Sequence, residues 1–199
     1  MFVLGLTGPT GSGKGAVAGR LARRGFWRID ADREARAVME PGSPCLEELA
    51  RVFGAGVLRG DGFVDRARLA SLAFAGGRVA ELNAATHPYI LAHIEYVLAE
   101  FAQKGARRVV LDAPALYESG ADRLCDRVAA VTAPREVRLE RIMRRDGLSA
   151  AQARERLEAQ PDDAFYTARA HAVLRNDGDE ALLDRAVDSL FEAIDQGAF

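Results

Sequence analysis

The residues with most chemistry in them lie near the start of the chain. Gly8, Pro9, Thr10, Gly11, Ser12, Gly13, Lys14 and Gly15 follow the pattern G-x-x-x-x-G-K and then lack the Ser or Thr that usually closes it. In such a loop glycines let the backbone curl so that successive N–H groups point inward. The following helix adds partial positive charge, and the lysine reaches the β and γ phosphates. Two glycines and a lysine at this spacing would arise by accident about 0.02 times in a chain of this composition, so a merely Gly-rich turn is the weaker explanation. The cradle comprises Gly8, Gly11, Ser12, Gly13, Lys14, Gly15 and Ala16, and the ligand it suits is a triphosphate. At Gly15 the hydroxyl that would bind Mg²⁺ is missing. Water and carboxylates are then expected to hold the metal, somewhat weakly, and Gly15→Ser to raise the apparent Mg²⁺ affinity.

Carboxylates and arginines suited to phosphoryl transfer occur further along. Asp30 and Asp32 are two apart and share one side if the preceding strand continues. Asp32 is the better candidate to take the proton of an acceptor hydroxyl, with capping of a helix Arg33–Met39 as its structural alternative. Asp112 ends an apolar run, the usual place for a carboxylate that orients metal-bound water. Arg135, Arg138, Arg141 and Arg145 form one helical stripe. Arg135 and Arg138 suit a solvated face, whereas Arg141 and Arg145, nearest a charged segment, suit a grip on phosphate when a lid closes. His87, before Pro88 at the start of a helical piece, suits capping or packing.

Short buried-strand runs position these groups: Phe2–Thr7, Phe26–Asp30, Arg108–Asp112, Arg127–Thr132 and Ala172–Asn176. Helical patterns alternate with them, at Lys14–Arg24, at Arg135–Arg145 before Gly147, and through Leu182, Leu183, Ala186, Val187, Leu190 and Ile194. Such alternation predicts an α/β fold, a five-stranded parallel sheet with helices on both faces. The stretch from Asp32 to Arg107 is too long for one crossover helix. Pro41 to Pro44, Gly60 to Gly62 and Gly76-Gly77 cut it into helical pieces, roughly Cys45–Phe53, Asp65–Ala75, Arg78–Thr86 and Pro88–Lys104. It is read as a helical acceptor-binding insertion, 32–105, in a nucleotide-binding core made of 1–31 and 106–199. A lid lies at about 146–168, opened by a capping box of Ser149 and Gln152.

Composition narrows the partners. With 27 basic against 29 acidic residues and a net charge of -2, the chain has no basic excess for nucleic acid or anionic membrane. Met1–Thr7 reads as a short strand and not as a signal peptide or membrane span. Cys45 and Cys125, with three histidines, give no zinc spacing or disulfide framework and suit a reducing cytoplasm. A monomer or small homo-oligomer is expected. Of the 27 basic residues all but Lys14 and Lys104 are Arg, so a surviving lysine marks a place for a compact, flexible ammonium.

Taken together the motifs resemble the dephospho-CoA kinase family over nearly the whole chain. The resemblance is carried by the loop, Ile29 to Asp32, Ala35-Arg36, Glu40 to Gly42, Phe53-Gly54, Asp65-Arg66, His87-Pro88, Pro114 with Glu118, Arg141 to Asp146, Gln160 and Asn176 to Gly178. It implies a P-loop kinase that uses ATP and Mg²⁺ to phosphorylate the ribose 3′-hydroxyl of dephospho-CoA, the last step of coenzyme A synthesis. It further implies Asp32 as base, Lys14 on the transferring charge, Arg36, His87 and Asp112 at the acceptor, Arg141 on the ATP phosphates and Asn176 near adenine. The chain departs from the family at Gly15, and at Tyr166 and Ala170-His171, where a basic residue and Ala-Asp are usual, with Arg169 nearby. The residues alone leave open another small-molecule kinase of nucleoside or nucleotide type, or a nucleotide-binding protein with weak turnover.

Overall fold

The computed structural model describes all residues from Met1 to Phe199. Five strands, β1 (Phe2–Thr7), β2 (Trp27–Asp30), β3 (Arg108–Asp112), β4 (Arg127–Thr132) and β5 (Ala172–Arg175), form one sheet in the order β2-β3-β1-β4-β5. The registered pairs β1·β3, β1·β4 and β4·β5 are all parallel. Ten α-helices accompany them: α1 (Lys14–Arg23), α2 (Ala31–Ala37), α3 (Pro44–Phe53), α4 (Arg66–Ala70), α5 (Val79–Gln103), α6 (Leu116–Ser119), α7 (Arg135–Asp146), α8 (Ala150–Glu158), α9 (Asp163–Thr167) and α10 (Glu180–Asp195). No helix is long and apolar enough to cross a membrane.

The chain divides into two compact units, Met1–Ile29 with Phe101–Phe199, and Asp30–Glu100. In the first, alternation along β1 sends Leu4 and Leu6 into a core with Val17 and Leu21 of α1 and Leu183, Val187 and Leu190 of α10. Each such fully buried side chain contributes about 2 kcal/mol by removal from water. On its second face β1 meets Leu116 and Cys125 at Gly5. Arg20, buried on α1, pairs with Glu180 and Asp184 of α10, which fixes the helix that carries the phosphate loop. Ile142, Ala153 and Leu157 join α7 to α8, and Ser149 and Gln152 form the expected capping box.

The second unit has its own core, built from Cys45, Leu46, Leu49 and Phe53 of α3 with Val57, Val64, Leu69, Ala73 and Ala85. Ser43 caps α3 through the Leu46 N–H, with Pro44 in the first turn, and Asp65 caps α4. Two sequence expectations change here. The piece predicted as Asp65–Ala75 is α4 followed by a π-helical turn, Ser71–Ala75. The pieces expected either side of His87 are one helix, α5, running through Pro88. Proline removes the N–H that would bond to the Ala84 carbonyl, but Ala84 and Pro88 are both exposed, where an unpaired carbonyl costs little, and the helix continues.

Candidate functional site

The loop from Gly8 to Gly13 leaves β1 and enters α1 with Gly8, Gly11 and Gly13 at positive φ. A side chain at Gly8 would collide with the Val131 carbonyl, and one at Gly13 with the side-chain amide of Asn176, so close approach of backbone at the first and of a buried side chain at the second, with positive φ at both, demands glycine. Gly13 is the N-cap of α1 without a side-chain cap, and the first turn holds no acid. The orphan amides and the positive end of the helix dipole are thereby offered to an anion. Lys14 Nζ donates to the carbonyl oxygens of Gly8 (2.6 Å) and Pro9 (3.2 Å), which holds its charge over the loop.

Long-range hydrogen bonds fasten the outer wall of the loop. Arg141 Nη1 donates to the carbonyls of Gly11 (3.2 Å), Ser12 (3.3 Å) and Asn176 (3.2 Å), and its Nη2 to Asn176 Oδ1 (2.9 Å). Asn176, buried just past β5, returns Nδ2 to the Ser12 carbonyl at 2.8 Å. Thr10 is gripped at both ends: its N–H donates to Gln160 Oε1 (2.7 Å) and its carbonyl accepts from Arg138 Nε (3.2 Å). Arg138 also pairs with Asp163 at 2.7 Å. The loop is therefore tied to α7, to the segment returning from α8, and to the end of β5. Ser12 Oγ is fully buried with no partner, an orphaned hydroxyl inside the same loop.

The arginine stripe divides differently from the sequence expectation. Arg138, expected on a solvated face, is 7% exposed and holds the loop. Arg135 pairs with Glu158 at 2.9 Å. Arg145, expected on phosphate, is engaged by Asp146 at 2.7 and 2.9 Å, which raises its pKa, so only Arg141 and Arg138 reach the loop. Spacing gives the direction of a stripe but not where each long side chain ends. Tyr166 is buried with its ring edge-on to Phe165, and burial pushes its phenol up to about 12. The nearby guanidinium is that of Arg169, over the rings of Tyr117 (3.8 Å) and Phe165 (4.7 Å). His171 Nδ1 accepts from the Val128 N–H at 3.1 Å, a backbone-holding role between β4 and β5.

On β3, Asp112 is 7% exposed and its Oδ2 lies 2.6 Å from Arg28 Nη2 of β2. Arg28 lies inside the run Phe26–Asp30, and no local pattern there signals the pairing.

In the second unit, Asp30 is the N-cap of α2, accepting from the N–H groups of Asp32 and Arg33. The strand stops there, so Asp30 and Asp32 do not share a strand face, and the helix that Asp32 was expected to cap begins before it, at Ala31. Asp32 stands exposed in the first turn. Arg36, in the last turn of α2, lines a cavity of about 230 Å³ with Ala35, Met39, Val64, Arg66, Leu69, Ala70, Phe74 and Leu82. The cavity wall is apolar with two guanidinium groups, and Phe74 is 65% exposed at it. His87, half-buried within α5, is not among the lining residues, and burial lowers its pKa.

A family model described as dephospho-CoA kinase matches residues 2–181. The dephospho-CoA kinase of Anaeromyxobacter dehalogenans is 46% identical over 188 residues, covering 94% of this chain and 89% of that protein. That of Corynebacterium jeikeium is 42% identical, covering 98% and 97%. Among solved structures, a dephospho-CoA kinase from Campylobacter jejuni superposes with a TM-score of 0.71 at 26% identity, covering 99% of this chain and 98% of that one.

Proposed function

The chain belongs to the dephospho-CoA kinase family, and from that premise we propose which of its residues do the work. The activity is ATP-dependent phosphorylation of the ribose 3′-hydroxyl of dephospho-CoA, giving coenzyme A and ADP, the last step of coenzyme A biosynthesis. The observation that carries the assignment is the loop from Gly8 to Gly15, with an uncapped, acid-free helix start on one side and Arg141 with Asn176 fastened to Gly11 and Ser12 on the other.

In this reading the β and γ phosphates lie on the amides of Gly11, Gly13, Lys14, Gly15 and Ala16, and Lys14 turns from the Gly8 and Pro9 carbonyls onto the transferring phosphoryl group. Arg141 adds charge on the phosphate side, and Asn176 places the nucleotide end. The acceptor occupies the helical unit, where Arg36 and the apolar cavity suit an anionic group on a flexible organic arm, with His87 supporting that unit. Asp32 accepts the proton of the 3′-hydroxyl as that oxygen bonds to the γ phosphorus and the bond to ADP breaks. The exposure of Asp32 and the capping of α2 by Asp30 support this, since the Asp32 carboxylate is not committed to the helix start.

The residues around the loop do not fit a protein-held Mg²⁺. Position 15 has no side chain, Asp112 is engaged by Arg28, and no group of three His, Cys, Asp or Glu residues is arranged to hold a metal. Magnesium would therefore reach the site with the nucleotide and would supply charge neutralisation on its phosphates.

A coupled assay of ADP release tests the function. Dephospho-CoA should support turnover, and nucleosides should give only background. Equal rates with a nucleoside, or background with dephospho-CoA while ATP still binds, would refute the reading.

A further inference from the structure

The helix that carries both Asp32 and Arg36 is lightly held. None of the residues of α2 is buried. Successive helical positions turn by about 100°, so Asp32 and Arg36, four apart, stand about 40° from each other on one face, while Glu34 points about 200° away from Asp32. Burial follows that period: Ala31, Glu34, Ala35 and Val38 are half-buried, whereas Asp32, Arg33, Arg36 and Ala37 are exposed. Positions 31, 34, 35 and 38 are the stripe by which an amphipathic helix packs, and apolar residues fill it except at 34. There the packing side of the helix holds a carboxylate.

That carboxylate is met by an imidazole. Oε2 of Glu34 lies 3.0 Å from Nε2 of His93 on α5, 59 positions along the chain, and the two side chains are 14% and 31% exposed. The His93 ring runs nearly parallel to that of Tyr96, and its neighbour Ile94 is buried, so the imidazole stands on a fixed part of α5. Both partners belong to the unit Asp30–Glu100. Apolar contact is non-directional, and a small helix resting on it could turn about its axis. A hydrogen bond prefers one line of approach, so this one fixes the turn of α2.

We propose that Glu34 and His93 are positioning residues for phosphoryl transfer: the bond between them holds the rotation of α2 and so presents Asp32 and Arg36 together on its outer face. This rests on the reading of Asp32 as base and Arg36 as a residue of the acceptor site. A side-chain end about 6 Å from a helix axis moves about 2 Å when the helix turns by about 20°. Displacement on that scale is enough to cost a proton acceptor tenfold or more in rate.

Kinetics of ADP release, calorimetric titration of ATP and thermal melting test this on the intact chain, on His93→Leu, on His93→Gln and on the Glu34→Leu/His93→Leu pair. The double variant completes the apolar stripe, so its melting temperature should match or exceed the parent's. Its kcat should nevertheless fall about tenfold or more and its KM for dephospho-CoA rise severalfold, with the ATP dissociation constant within about twofold of the parent's. His93→Gln, whose amide can donate to Glu34, should recover most of the kcat lost in His93→Leu. A folded double variant with parental kcat and KM overturns the proposal, and so does a His93→Gln chain no better than His93→Leu. An ionised carboxylate only accepts, so nitrogen-15 NMR of the intact chain should find a proton on His93 Nε2; its absence overturns the proposal with no variant needed. No ADP release from dephospho-CoA by the intact chain would refute the kinase reading and this one with it, whereas parental turnover that survives loss of the pair overturns this one alone.

Discussion

Asn176→Ala isolates the tie between the end of β5 and the phosphate loop. Its side chain makes two hydrogen bonds, Nδ2 to the Ser12 carbonyl at 2.8 Å and Oδ1 from Arg141 Nη2 at 2.9 Å, at a site only 5% exposed. The first is a buried neutral bond, worth about 1 kcal/mol net, and the second is charge-assisted, worth about 2 kcal/mol. Truncation should cost about 3 kcal/mol, and for a chain of this length each kcal/mol lowers the melting temperature by about 2–4 °C, so a fall of about 6–12 °C is expected. ATP affinity should drop about tenfold, because the Ser12 carbonyl no longer fixes the curl of the loop. Thermal melting and titration calorimetry read the two effects. A double-mutant cycle with Arg141→Ala should show coupling of about 1–2 kcal/mol, since each residue is the other's partner. Strict additivity, or a melting temperature within about 2 °C of the parent, would refute the claim that this pair holds the loop.

Three other outcomes are expected. Asp32→Asn should lower kcat by about 10²–10⁴ and leave the ATP dissociation constant nearly unchanged, because a base acts in the transition state; a large loss of ATP binding would make Asp32 a binding residue instead. Lys14→Ala should weaken ATP binding and turnover together, and calorimetry showing normal binding would contradict its place on the phosphates. Burial pushes the Cys45 thiol up to about 11 and the Cys125 thiol up to about 12, from a usual 9.0. Both folded values lie above the unfolded one, so their stabilisation is complete below pH 9 and declines as pH rises from 9 through 11 to 12. The melting temperature should fall across that range, and less steeply after Cys45→Ala/Cys125→Ala; an unaltered slope would show that the thiols carry none of it.

Much of the sheet was legible because buried parallel strands are short apolar runs with punctuated ends. The structure moves the start of β2 from Phe26 to Trp27 and the end of β5 from Asn176 to Arg175. The phosphate loop was legible because Gly8, Gly11 and Gly13 adopt positive φ and are closely approached by neighbouring segments, which restricts those positions to glycine. Elements shaped by exposure were harder. Pro88 reads as a break, yet the carbonyl it orphans belongs to the exposed Ala84 and α5 continues. Asp32 reads as a cap in sequence, and the end of β2 gives that role to Asp30 instead. Contacts made by long side chains were hidden: Arg138 to Thr10 spans 128 positions and Arg28 to Asp112 spans 84, distances over which no periodicity carries information.

The scarcity of lysine takes on meaning in this setting. Arg141 serves three carbonyl oxygens through Nη1 and an amide oxygen through Nη2, and Arg138 divides its fork between Thr10 and Asp163. Such contacts need several donors fixed in one plane, which an ammonium cannot supply. They hold backbone in place and leave the guanidinium with little freedom. Lys14 meets the opposite requirement. Its ammonium rests on two carbonyls of its own loop, Gly8 and Pro9, through rotatable donors on a flexible stem. In the proposed role its charge follows a phosphoryl group from one oxygen to another, and a planar fork locked onto carbonyls does not suit that task. A chain that uses arginine nearly everywhere therefore still has a physical reason to keep lysine at position 14.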